Sequence, residues 1–187
     1  MIVYLDFAKT IKSNTLKTSA IDTRNDIITT ITILISMIIM KIFIGSDHAG
    51  YDRKNEIIEF LKTKDIEVFD MGTYSKESVD YPDFARGVCE GVLKNDNAYG
   101  ILVCFTGIGM SITANKFKNI RASLVGSVED AILTKEHNNS NVLCLSAKNT
   151  DKENTLQIVD AYLKASFTYG RHERRVNKIL EIENEKR

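Results

Sequence analysis

Residues Gly100 to Lys116 read GILVCFTGIGMSITANK: an apolar run ending in Cys104, then Thr106, Gly107 and Gly109 at the mouth of a helical pattern. Two glycines let a backbone approach a ligand closely, and amides leading into a helix present positive partial charge to an anion. Such amides also favour the ionised form of a thiol beside them. A base next to an anion cradle suits proton abstraction. The plainer reading of the same spacing is a buried strand-end cysteine with glycines that make a turn. Two other chemistries fit poorly. A dinucleotide fingerprint wants a glycine three positions after Gly109, where Ile112 stands. A thiol that attacks phosphoesters wants an arginine where Met110 stands.

The chain of 187 residues is 43% hydrophobic, enough for one substantial core. Its 25 basic residues balance 25 acidic ones, so no overall field draws it to nucleic acid or to an anionic membrane. Cys89, Cys104 and Cys144 are too few and too far apart for a disulfide framework or a zinc site, which suits a reducing, cytoplasmic compartment. The apolar run from Ile27 to Met40 has 14 residues, short of the roughly 18 that read as a membrane span. Asp6, Asp22 and Asp26 precede it and no small-residue cleavage site follows, so it is a poor signal peptide. Residues 1–39 therefore read as an N-terminal extension, disordered or not native to the fold, and residues 40–187 as the domain.

From Lys41 onward, strand-length apolar runs alternate with amphipathic helical stretches. KIFIGS, EVFDMG, YGILVC, RASLVG and NVLCLS supply five strands, and the segments between them supply crossover helices. This pattern predicts an α/β fold with an open, doubly wound parallel sheet. Beyond Asp151 two more helices are expected, the last too polar for the core. Ligands of such sheets sit beyond the carboxyl ends of the strands. Three loops are read as facing a ligand: Ser46 to Gly50, Cys104 to Gly109, and His137 to Asn139 before the fifth strand.

The strings SDHAG, DYPDFA, GILVCFTGIGMSITANK, IRASL, HNNSNVLCLS and GRHERRV, in this order and spacing, resemble type B ribose-5-phosphate isomerase. That group belongs to the sugar-phosphate isomerase family that includes galactose-6-phosphate isomerase. The likeness runs from about Met40 to the C-terminus. It implies a Rossmann-like five-stranded parallel sheet with a C-terminal helix, no metal or other cofactor, and a sugar-phosphate substrate. It also implies a homodimer or homotetramer whose active sites are shared between subunits. The implied reaction moves a proton between adjacent carbons through an enediolate. Cys104 would be the base, and Thr106 with the amides of Gly107 and Gly109 would hold the negative oxygen. His137 would open the sugar ring, and Asp47 would exchange protons with substrate oxygens. Tyr81 would line the pocket, Asn138 would hydrogen-bond the sugar, and His48, Lys148, Arg171 and Arg175 would hold the phosphate. Arg171 and Arg175, four apart, share one helix face and let two guanidinium forks converge.

Taken apart from the likeness, Asp47 can simply cap a turn and Tyr81 can be packing. RHERR can be an exposed face balanced by Glu173 and Glu181. Two departures bear on activity. Phe105 stands where the family usually has glycine, a bulky side chain that resists positive φ and crowds a substrate. Lys148 stands where an arginine is common, which keeps the charge and loses the fork. The competing expectations are a sugar-phosphate-binding homologue with impaired catalysis, or an isomerase of a six-carbon sugar phosphate.

Overall fold

The computed structural model describes residues 3, 19–30, 39–64 and 66–185. The chain divides into two units, Met1–Ile39 and Met40–Arg187. In the first, residues 19–30 are helical, and Thr23, Thr29 and Thr30 each donate a hydroxyl to the carbonyl four residues back. Among the described residues no helix is long and apolar enough to cross a membrane. The extension called from sequence lies mostly outside the described residues, as does much of the apolar run ending at Met40.

The second unit carries the sheet. Its strands are β1 (Lys41–Ser46), β2 (Glu67–Asp70), β3 (Ala98–Cys104), β4 (Ala122–Leu124) and β5 (Val142–Ser146), all parallel in the order β2-β1-β3-β5-β4. Helices α1 (Tyr51–Lys62), α2 (Tyr81–Lys94), α3 (Ile108–Ala114), α4 (Val128–Asn138), α5 (Lys152–Lys164) and α6 (Arg171–Glu185) cover it. This is the doubly wound α/β fold that the alternation predicts. Helix α3 starts two residues earlier than Gly109 suggests, with Gly107 as its left-handed N-cap.

The period of two along each strand divides the core between the two faces. Ile42, Ile44, Ile101, Val103, Leu143 and Leu145 point to one face, where Ile57 and Leu61 of α1 and Ile158, Val159 and Tyr162 of α5 meet them. Phe43, Leu102, Cys104, Val142 and Cys144 point to the other, against Ala85, Val88, Cys89 and Val92 of α2 and Met110 and Ala114 of α3. With both faces covered, the central strands need no polar alternation, which is why NVLCLS reads as a plain apolar run. Cys89 and Cys144 are small core residues, and burial pushes the Cys89 thiol up to about 12.

The winding sense reverses beside β1. From β1 the chain crosses to β2 on one side, then returns to β3 on the other, so the helices that follow β1 and β3 lie on opposite faces. A crevice opens there at the carboxyl edge. The opposite edge matters equally. A helix joining parallel strands must run back against them, so α4 starts at the carboxyl edge and ends at the amino edge. Its 11 residues span about 16 Å.

Candidate active site

The crevice between β1 and β3 holds the first group of residues. Asp47 follows β1 directly; its amide donates to the Val103 carbonyl at 3.2 Å, and its carboxylate accepts the Gly50 amide at 2.9 Å. The capping role is thus real, and it fixes a buried carboxylate at the crevice floor. Val79 donates its amide to His48 Nδ1 at 3.2 Å, so the neutral ring carries its proton on Nε2. The loop bearing Val79 is anchored through buried Lys54, whose ammonium meets both Asp70 oxygens at 2.6 Å, while Asp70 also accepts the Gly72 amide.

Across the crevice the Cys104 sulfur lies at the end of β3 and accepts the Gly107 amide at 3.1 Å. Gly107 has φ of +77°, and a Cβ there would strike the Leu124 side chain and lie 3.0 Å from the Leu145 carbonyl. Only glycine lets the chain turn this tightly under the thiol. Thr106 accepts the Ile108 amide at 3.4 Å. Tyr81, at the start of α2, lays its ring over Gly109, where a Cβ would come within 2.6 Å of it. Its packing role and its place on the crevice rim coincide.

Phe105 corrects one expectation. It is not among the residues with positive φ, so its backbone is unstrained, and the residue is 53% exposed. Its carbonyl accepts the Ser146 hydroxyl at 2.9 Å and the Lys148 amide at 3.1 Å. The Lys148 ammonium sits 5.4 Å from the centre of the ring. Cys104 itself is only 4% exposed, so its sulfur lies at the floor of the crevice and not at its rim.

The second group lies elsewhere, which corrects the reading of three loops on one edge. His137 and Asn138 close α4 and precede β5, so they lie at the amino edge. Val142 at the start of β5 pairs with Gly100, whereas Ser146 pairs with Cys104, which puts roughly 13 Å of strand between the two edges. Helix α6 starts at the same edge, because Thr168 donates both amide and hydroxyl to the Glu136 carbonyl. Exposed Arg171 and Arg175 therefore belong with His137. Sequence reasoning missed His172, quoted within RHERR but given no role. Its ring stacks on His137 with centroids 4.0 Å apart and planes within 4°. Its Nε2 accepts Arg171 Nε at 3.2 Å, which holds that guanidinium beside the imidazole pair. Burial, then the neighbouring His137, Arg171 and Arg175, hold the His172 imidazole below the ordinary range, with Glu136 opposing.

Lys135 braces this edge from below. It is 5% exposed, its ammonium lies 3.4 Å from the Tyr99 ring centre and 4.8 Å from that of Tyr162, and it donates to the Ser140 carbonyl at 3.2 Å. Burial, then Arg121, push it down to about 7 from 10.5, against the attraction of the two ring faces. An unfolded lysine stays protonated up to its higher ordinary value, so between about 7 and 10.5 the unfolded chain binds the extra proton and stability rises with pH. Lys135→Met is expected to remove this rise. Urea denaturation of both chains across that interval should give a difference slope approaching about 1.4 kcal/mol per pH unit; parallel profiles would rule the buried charge out. Comparison of the two chains cancels other titrations, including that of Cys89.

Among the described residues no group of three or more His, Cys, Asp or Glu could hold a metal ion. What the arrangement offers is a thiol beside amide donors at one edge, and imidazoles with guanidinium groups at the other.

Known proteins carry the same fold. A solved structure of ribose-5-phosphate isomerase B from Clostridium thermocellum superposes with a TM-score of 0.77 at 48% identity, covering 79% of this chain and all of that one. The Mycoplasma genitalium structure of ribose-5-phosphate isomerase B with bound ribulose-5-phosphate gives 0.75 at 47% identity, covering 78% of this chain and 97% of that one. A Mycoplasma genitalium sequence named "Probable ribose-5-phosphate isomerase B" is 50% identical over 148 residues, 78% of this chain and 97% of its own length. With residues 42–179 matching the family described as Ribose/Galactose Isomerase, over the very elements that carry both edges, this chain belongs to that family.

Proposed function

We propose that residues 40–187 interconvert ribose 5-phosphate and ribulose 5-phosphate, in a site that two copies of the chain complete together. The observation that carries the reading is the Cys104 sulfur, 3.1 Å from the Gly107 amide at the floor of the switch-point crevice. A thiolate there takes the proton from C2 of the open-chain aldose. The electrons of that C–H bond form the enediolate, and the same thiol returns a proton to C1 to give the ketose. The Gly107 amide is taken up by the sulfur, so Thr106 and the Gly109 amide face the developing oxyanion, where one aimed donor is typically worth about 2.7–4 kcal/mol. Asp47, held by Gly50, exchanges protons with the sugar oxygens, and Tyr81 closes the rim over Gly109.

Ring opening needs an acid–base group near neutrality, and His137 suits it. His137 and Asn138 lie on the edge away from their own Cys104, which supports a partner's amino edge docking on the carboxyl crevice. In a two-fold dimer each site then draws Cys104 from one subunit and His137, Asn138, Arg171 and Arg175 from the other. His48 and Lys148 complete the phosphate end from the thiol side. The three unpaired, buried cysteines support a reducing, cytoplasmic setting.

A coupled assay on the full chain tests this reading. Ribose 5-phosphate should be converted without added metal. Calorimetry that records binding with no conversion would overturn it in favour of a sugar-phosphate-binding protein.

A further inference from the structure

Phe105 is a large apolar residue set between Cys104 and Thr106, yet it is 53% exposed. The root of that side chain is rigid. Its carbonyl is held by Ser146 and by the Lys148 amide, the Cys104 carbonyl accepts the Ala147 amide at 3.0 Å, and φ is ordinary. The loops after β3 and β5 are thereby stitched together. The ring is also braced at its face, since the Lys148 ammonium lies 5.4 Å from its centre, within the range of cation–π attraction. Since β1 and β5 flank β3, the ring, with the ammonium on its face, belongs to the β5 side of Cys104, whereas Asp47 and His48 follow β1 on the other side.

We infer that Phe105, braced by Lys148, sets the length of sugar phosphate that the crevice accepts and favours five carbons over six. This rests on the isomerase reading above. A sugar phosphate bound with its reacting carbon over Cys104 and its phosphate among the cations has a fixed span to fill. One more CHOH unit has to bulge sideways, and on the β5 side it meets a phenyl face that offers no hydrogen-bond partner. A hydroxyl pressed against an apolar wall loses its water without compensation, which penalises the longer substrate.

The test compares kcat/KM for ribose 5-phosphate with that for a six-carbon aldose 6-phosphate in the parent, Phe105→Gly and Phe105→Ala. The six-to-five ratio should rise by at least about tenfold in both variants, the range that pocket contacts of this size deliver. Phe105→Leu, which keeps bulk, should move it less, and it keeps the question open to measurement if the smaller variants fold poorly. Parent activity on ribose 5-phosphate with a ratio unchanged within about twofold in every variant would overturn this inference alone. A parent that converts neither sugar would overturn the isomerase reading as well.

Discussion

Cys104→Ala is expected to lower kcat for ribose 5-phosphate by roughly 10² to 10⁴, the usual worth of a positioned base, while product binding stays within about threefold. The two observables separate because the groups proposed to hold the phosphate lie on other elements. In the proposed reaction the sulfur meets the reacting carbon, whereas His48 is fixed by Val79 and Lys148 stands on the loop after β5. Loss of the sulfur leaves the Gly107 amide without its acceptor, but the loop is also held by the Ser146 hydroxyl and Lys148 amide on the Phe105 carbonyl and by the Ala147 amide on the Cys104 carbonyl. The crevice should therefore persist, and thermal denaturation close to that of the parent would verify it. Turnover at parental rates in the alanine variant would remove Cys104 from the reaction.

The second large effect is a rescue. Cys104→Ala and His137→Ala should each be inactive alone, and their mixture, after subunit exchange, should recover about one quarter of parental activity. Half of the randomly exchanged dimers are mixed, and each mixed dimer has one site with both residues intact and one with neither. The physical basis is the direction of α4. A helix that crosses back between parallel strands delivers its last residues to the amino edge, and about 13 Å of β5 separates them from Cys104. Side chains cannot bridge that distance within one chain. A mixture that stays as dead as its components would sink the shared site and leave each half to be explained separately.

Much of this fold was legible in the residues. Apolar runs of strand length alternating with amphipathic segments gave five parallel strands and their crossover helices, because burial on two faces leaves a period that differs between strand and helix. The glycines of the thiol loop marked the helix mouth, although α3 starts at Ile108 and not beyond Gly109. Termini of helices are set by a few hydrogen bonds, so pattern locates them only to within a residue or two. The polarity of the last helix was read correctly in the main: His172 and Val176 are buried, whereas Ile179 and Ile182 stay about half exposed.

Other features had no local signature. The run HNNSNV follows a helix and precedes a strand, and nothing in it says which edge of the sheet it occupies; only the antiparallel return of α4 decides that. The stack of His137 on His172 joins residues 35 positions apart on two helices, so neither sequence neighbourhood predicts it. Phe105 stands where the family usually has glycine, which predicts strain, but the positive φ belongs to Gly107, and the turn is completed without distorting the phenylalanine. Residue types and short spacings settled which groups are available for chemistry, since a thiol, an imidazole or a glycine carries its properties wherever it goes. Which of those groups can meet was left to long-range packing, because distance between side chains depends on strand order and helix direction, and these arise only when both faces of the sheet are buried at once.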